Sequence, residues 1–575
     1  MKSPLGYLLV CGLLVLASRT EATGESIFLD RTQESGLDFV HFNGMSGELY
    51  YVEHMVGGAG LIDYDRDGDL DLYLVQGHML GENKTLEDMI FSPQHPLPLT
   101  DRLYRNDLEI TSAGERVVRF VDVTVSAGIR AEGFGVGVAT GDIDNDGWVD
   151  LYVNNHGVNQ MWRNNGDGTF SDVTDSTGTG NRRFSATASF FDFDRDGWLD
   201  LYVGNYVDWS FVTHRQCFSP TGARDYCSPL AYDNEPDGLY RNRGDGTFED
   251  VSVEARISEE FGAALGIVAA DFNGDGWQDI YVANDQMGNQ FWVNQKDGTF
   301  VDEALFAGCA VNAVGRPEAS MGVVVGDFDG NDTEDLFMAH LTRETNTLYL
   351  NDGTGQFRDA TKDSGLGMPS FAYTGFGTVL FDYDSDSWLD LFIGNGAVTR
   401  IEALAREGDP YPLHQRNQLF RNLGGGSFEE VDASGQAFLN QSEVSRGVAA
   451  GDIDNDGYTD LVVFNNAGPA RLLINNVGDS GRWVGFDLRT CWPGRAATGA
   501  KIGVFRQAGV PLWRRVRNDG GFASAHDTRL LVGLGEDVGT ERVRVEWPGG
   551  SVGEWRDLPQ ARYVVAAESW NQQSQ

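Results

Sequence analysis

Asp63-Tyr-Asp-Arg-Asp-Gly-Asp-Leu-Asp71 decides the reading of this chain, because close relatives of it begin again at Asp142, Asp192, Asp271, Asp327, Asp382 and Asp452. Acidic or amide side chains stand at positions 1, 3, 5 and 9 of each run, with glycine at position 6 in five of the seven. Alternating side chains of a tight turn converge on one point, and glycine lets the backbone reverse there, which is what a hard, oxygen-seeking cation requires. Calcium is the expected occupant, at up to seven sites. The expected ligands are Asp63, Asp65, Asp67, Asp69 and Asp71 in the first turn, then Asp142, Asp144, Asp146 and Asp150, and Asp192, Asp194, Asp196 and Asp200. They continue with Asp271, Asn273, Asp275 and Asp279, then Asp327, Asp329, Asn331 and Asp335. The last two sets are Asp382, Asp384, Asp386 and Asp390, and Asp452, Asp454, Asp456 and Asp460. In the fifth and sixth turns Asp332 and Ser387 replace the glycine, so those sites depart furthest from the pattern.

The spacing matches the start of an EF-hand loop, but the glutamate of position 12 is missing and an apolar run such as Leu151-Tyr-Val follows. That run reads as a β-strand, so each turn joins two strands. The second copy shows the whole unit: Gly135-Val-Gly-Val-Ala-Thr-Gly, the acidic turn, Leu151-Tyr-Val-Asn-Asn, Gln160-Met-Trp-Arg-Asn-Asn, a Gly166-Asp-Gly-Thr turn, then Phe170-Ser-Asp-Val-Thr. Four short strands repeated along a chain point to the blades of a β-propeller. Fourth strands recur at Phe120, Phe170, Phe248, Phe300, Phe357 and Phe428, and the matching segment for the last unit stands at the other end of the chain, at Phe28-Leu-Asp-Arg-Thr. The expected fold is therefore all-β: a seven-bladed propeller closed by its N-terminal strand, which removes the open edge. A small β-sandwich-like domain should follow it.

The 575 residues begin with Lys2 and an apolar stretch from Leu8 to Leu16, which predicts a signal peptide over 1–22. No other stretch reads as membrane-spanning, so the mature chain is expected to be secreted or periplasmic, without a transmembrane segment. A net charge of -43 argues against nucleic acid as a partner. That charge lies ahead of Gly481, since the remainder carries 13 Lys and Arg against 10 Asp and Glu. Cys217 and Cys227, ten residues apart in one insertion, are expected to form a local disulfide in an oxidising compartment. Cys309 and Cys491 read as buried small apolar residues.

At this level the repeats resemble the FG-GAP and VCBS-type repeats of integrin-like propellers, with Phe134-Gly135 and Phe376-Gly377 at the phenylalanine-glycine pair. Arg482-Trp-Val, Gly499-Ala-Lys-Ile, Asn518-Asp-Gly-Gly-Phe522, Leu531-Val-Gly-Leu-Gly535 and Val545-Glu-Trp-Pro-Gly-Gly550 are similar to the ASPIC/UnbV domain. The combination resembles the cartilage acidic protein family, which implies calcium binding and an extracellular location without an agreed chemistry. The implied domains are the propeller over 24–478 and the β-domain over 479–575.

Hairpin topology places the acidic turns and the Gly-Asp-Gly-Thr turns on one face of the disc and the long insertions, Gln76 to Thr100, Tyr206 to Pro236 and Gly396 to Arg416, on the other. Eight of the nine histidines fall in segments assigned to that loop face, where aromatic residues are also frequent. His78, His156, Tyr206, Trp209 and His340 are the candidate contacts for a ligand, a protein or a glycan. The alternative is that these side chains form the core of the insertions. Arg243-Gly-Asp245 reads as one more hairpin turn and not as an adhesion tripeptide. Arg514, Arg515 and Arg517 form a basic strand suited to docking on the acidic repeats. The functional expectation is an exported, monomeric, calcium-binding interaction module; a polysaccharide lyase or hydrolase working from the loop face is the competing class. A nucleophile elbow or paired-carboxylate motif that would support the enzyme is not found outside the acidic turns.

Overall fold

In the computed structural model, which describes residues 26–568 apart from 82, 479–481, 491–493, 507–509, 536–538 and 557, the acidic turns sit between the first two strands of seven four-stranded antiparallel sheets. The signal segment and Cys491 lie outside the described residues. In the second unit the strands are Phe134–Gly141, Asp150–His156, Gln160–Asn164 and Phe170–Asp172. The first strand is buried along its whole length, which suits its small side chains, whereas Phe170–Asp172 combines one buried aromatic with two exposed polar residues. Each first strand packs beside that of the next unit, and Ser445–Gly451 of the last packs beside Ala59–Ile62 of the first.

The last of the seven sheets takes its fourth strand from the other end of the chain. Phe28–Asp30 pairs antiparallel with Arg471–Asn475, Phe28 opposite Asn475 and Asp30 opposite Leu473. Phe28 is buried against Phe438, ring centroids 5.2 Å apart. This pairing covers an edge that would otherwise expose unpaired amides.

The C-terminal residues form two sheets around one apolar core that includes Val484, Phe486, Ile502, Val504, Val543 and Val545. Trp483–Arg489 lies between Leu530–Gly533, antiparallel, and Tyr563–Ala567, parallel. Lys501–Arg506 and Thr540–Glu546 occupy the middle of the second sheet, order Leu512–Arg515, Lys501–Arg506, Thr540–Glu546, Val552–Arg556.

Between the two sheets the chain leaves the module and enters the centre of the repeats, where residues 517–527 touch the first strand of every sheet. Asn518 Nδ2 donates to Thr140 O at 2.6 Å, and Asp519 Oδ2 accepts from Ser189 Oγ and Ala269 N, both at 3.0 Å. Gly521 exchanges two hydrogen bonds with Val323, Ala525 N donates to Ala59 O at 2.9 Å, and Asp527 N donates to Ala450 O at 3.0 Å. Phe522, fully buried, meets Phe376 edge-on with centroids 5.0 Å apart. Glycine is required where this segment passes, since a Cβ on Gly58 would collide with Ala523 O.

Candidate metal centres on the turn face

Each acidic turn is organised by its own backbone amides. In the second turn Asp146 N donates to Asp142 Oδ1 at 3.1 Å, Gly147 N to Asp142 Oδ2 at 2.8 Å and Trp148 N to Asp146 Oδ1 at 2.9 Å. The third, fourth and seventh turns repeat the bond from the position-6 amide to the position-1 carboxylate. The two non-glycine turns keep it as well: Asp332 and Ser387 take φ of 69° and 83°, and their amides donate to Asp327 and Asp382 at 3.0 and 2.9 Å. Left-handed strain at these residues is therefore tolerated without losing the turn.

Carboxylate oxygens converge within 4.8 Å in the groups Asp63, Asp65, Asp71; Asp142, Asp144, Asp146; Asp192, Asp194, Asp200; Asp327, Asp329, Asp335; and Asp382, Asp384, Asp390. Burial, reinforced by the neighbouring carboxylates, pushes Asp63, Asp142 and Asp192 up to about 6 and Asp71 and Asp200 up to about 9. Asp63 Oδ1 and Asp65 Oδ1 are buried with no hydrogen-bond partner. Crowded, desolvated carboxylate oxygens without donors fit an oxygen-seeking divalent cation. In the sixth turn the Arg421 guanidinium lies 2.9 Å from Asp384 and 2.8 Å from Asp386, a second way of holding the same charges.

The position-9 aspartate has a further role that its place in the motif did not announce. Asp150 Oδ2 accepts from Ile143 N at 2.9 Å within the turn, while Oδ1 accepts from Asn164 N at 2.7 Å at the end of the third strand. The same pair of bonds recurs at Asp71, Asp200, Asp279, Asp335, Asp390 and Asp460. The asparagine it engages then reaches the neighbouring unit. Asn164 Nδ2 donates to Tyr64 O at 2.8 Å, Asn242 to Ile143 O, Asn294 to Phe193 O, Asn351 to Phe272 O, Asn422 to Phe328 O, Asn475 to Tyr383 O, and Asn106 back to Ile453 O. Seven asparagines thus tie each acidic turn to the next unit. Their signal was visible as the Asn that ends every third strand.

The turn face is covered by the C-terminal module through its basic side chains. Arg515 Nε lies 2.7 Å from Glu334, Lys501 Nζ lies 2.6 Å from Asp332, and Arg514 donates to Ser387 O at 2.9 Å. Arg529 donates to Asp452 O at 2.9 Å, Tyr563 OH donates to Asp452 Oδ2 at 2.9 Å, and Arg517 donates to Val325 O at 3.1 Å. The basic strand therefore meets the repeats and not solvent.

Of the five loop-face candidates, three are buried and two partly so. Tyr206, Trp209 and His340 are 0%, 3% and 2% exposed, so the contacts expected of them are withdrawn from solvent. Tyr206 OH bonds Tyr51 OH at 2.7 Å and the Asp285 carboxylate, and Trp209 packs against His156 and Phe211. The insertions bury these aromatics because they have no other core of their own. His156 and His78 are partly buried, with His156 Nε2 3.1 Å from Trp209 O and His78 Nδ1 2.8 Å from Met79 O. A disulfide joins Cys217 to Cys227, and Cys309 is buried with a free thiol. Asp245 of the Arg-Gly-Asp run accepts from Thr247 N and Oγ1 at 3.0 and 2.6 Å, while Arg243 pairs with Glu249 at 3.2 Å, so both ends of that tripeptide are engaged.

Several buried ionisable residues of this face escaped the sequence reading, Arg446, Glu53 and Asp285 among them. Arg446 is fully buried, donating to the carbonyls of His54, Gly396 and Ala397 above the Phe376 ring, 4.0 Å from its centroid. Glu53, fully buried, is pushed up to about 8 by burial, although Tyr226 OH donates to it at 2.8 Å. Asp285 is pushed up to about 7 by burial. Isolated charges in apolar repeats carry no periodic signature.

Known families and proteins match parts of this chain. The FG-GAP-like repeat model matches residues 114–203, 222–282, 271–338, 327–393 and 405–463, more than half of the chain. An FG-GAP repeat matches 446–484, and the ASPIC and UnbV model matches 493–573. Cartilage acidic protein 1 of Homo sapiens is 27% identical over 329 residues, 55% of this chain and 46% of that protein, and the Mus musculus protein is 27% identical over the same length, 55% and 47%. The chain thus spans about half the length of the curated relatives it matches. Among solved structures, the BP39L lectin from Burkholderia pseudomallei aligns at TM-score 0.40 and 9% identity over 74% of this chain and 98% of that one. A lectin from Agrocybe aegerita, solved for recognition of non-reducing terminal N-acetylglucosamine, aligns at TM-score 0.34 and 18% identity over 60% and 82%.

Proposed function

The chain belongs to the FG-GAP-like repeat family and carries an ASPIC and UnbV module, and from that premise we propose that it is an exported, calcium-stabilised interaction protein. In this reading residues 1–22 are a removed signal peptide, 24–478 form a seven-bladed propeller closed by the N-terminal strand, and 479–575 form the module that caps it. Calcium is held by the acidic turns, with Asp63, Asp142 and Asp192 and their partners as ligands, and supplies the positive charge that lets buried carboxylates share one turn. The calcium is scaffold and the partner, an extracellular or periplasmic protein or glycan, meets the opposite, loop-bearing face.

The observation that carries this reading is the pair of buried, partnerless oxygens at Asp63 and Asp65 within a convergent carboxylate group, in a motif repeated around the chain. Relatives named for cartilage are consistent with an exported setting. The test is elemental analysis of the purified, exported protein after extensive desalting. Several equivalents of calcium per chain support the assignment; no divalent metal in folded protein sinks it.

A further inference from the structure

Where the module meets the first and second acidic turns, the seam is not filled. A cavity of about 300 Å³ remains there, lined on the repeat side by Leu61, Leu70, Val149 and Leu199 and on the module side by Arg489, Arg495, Thr498 and Arg529. Its volume is at the lower end of the range typical of small-molecule sites, and its mixed apolar and cationic lining is of the kind such sites use. Most of the charge in it is already spoken for. Arg489 pairs with Asp487 at 2.6 Å, Arg529 pairs with Asp527 at 2.8 Å, and both Asp142 oxygens accept backbone amides.

Among the module's arginines that line it, Arg495 is the exception. It is 6% exposed, its Nη2 donates to Gly197 O at 3.0 Å, and its Nη1 is buried with no partner. A guanidinium is always charged and presents its donors in a flat fork, so an unmet Nη in a desolvated cavity is costly unless an acceptor enters. A carboxylate matches that fork in shape and sign. Leu61, Leu70 and Leu199 on the opposite wall accept an apolar body, while Asp63 and Asp142, which also line the cavity, belong to the acidic turns.

We propose that this seam cavity is a binding site for a small monocarboxylate with an apolar body, its carboxylate accepting from Arg495 and its body resting on Leu61, Leu70 and Leu199. The site belongs to the seam between repeats and module, so it is separate from the loop face and stands whether or not that face meets a partner. Its occupant would bridge the two parts of the chain and strengthen their docking.

The test uses the full chain at fixed, saturating calcium, titrated calorimetrically with hexanoate and with hexanamide, which has the same shape without the charge. Hexanoate is expected to bind one site and to raise the melting temperature, and hexanamide to bind at least tenfold more weakly. Arg495→Met should abolish hexanoate binding. Thr498→Trp, which fills the cavity from the module side, should do the same while leaving Arg495 in place, and it decides the matter if Arg495→Met does not fold. Failure of hexanoate to bind overturns the proposal, as does equal binding of the amide, or retained binding in a folded variant whose melting curve matches the parent.

Discussion

Asp144 and Asp150 stand six positions apart in the same turn, yet their surroundings assign them different work. Asp144 offers oxygens to the convergent group, whereas Asp150 is fully buried and holds two backbone amides. Asp150→Ala should therefore cost about 2–5 kcal/mol whether or not metal is present, because Ile143 N and Asn164 N lose buried acceptors. Asp144→Ala should cost under about 1 kcal/mol in excess chelator, since it removes a surface-near repulsion, and clearly more in calcium. Denaturant titration of both variants in both conditions separates the roles. A single buried glutamate also sets a pH dependence. Burial raises Glu53 from 4.5 to about 8, so the native state binds a proton that the unfolded chain releases. The stability this provides is complete below the unfolded pKa and is lost as pH rises from about 4.5 to about 8, by up to about 5 kcal/mol. Glu53→Gln should flatten the fall of melting temperature across that window relative to the parent; an unaltered pH profile would show that Glu53 is ionised in the fold.

Among the elements, those with a local signature were legible and those defined by distant contacts were not. The acidic turn announces itself by spacing, and the two strands around it follow from apolar runs at Leu72, Leu151, Leu201 and Ile280. The pairing of Phe28–Asp30 with Arg471–Asn475 was legible only by counting, as the fourth strand missing from the last unit. Removing residues 26–37 should expose the edge of Arg471–Asn475 and drive aggregation although no acidic turn is touched, as size-exclusion chromatography would show. Residues 517–527 gave no such warning. Their sequence reads as an Asn-Asp-Gly-Gly turn, and nothing local says that its Phe522 enters the centre of the repeats. The burial of three loop-face candidates was hidden for the converse reason: Tyr206, Trp209 and His340 have the composition of a binding surface, and only long-range packing shows them buried.

Over the full chain, charge is what joins the parts: acidic repeats are met by a basic module and, within the turns, by the proposed calcium. Arg515 and Glu334 are the buried pair of that junction, 13% and 11% exposed at 2.7 Å, and the arginine holds the Glu334 carboxyl below its ordinary value against the effect of burial. Arg515→Ala strands Glu334 in the seam and should cost about 3–5 kcal/mol, seen as loosened docking in limited proteolysis after residue 478, whereas the double change Arg515→Leu with Glu334→Leu should recover much of it. Whether calcium holds the acidic turns together is decided by melting the full chain before and after treatment with excess chelator, with metal removal verified by elemental analysis. The expected result is a fall of many degrees that added calcium reverses and magnesium restores poorly, because the turns offer many oxygens in a flexible arrangement. An unchanged melting curve in verified metal-free protein would contradict a structural role for calcium.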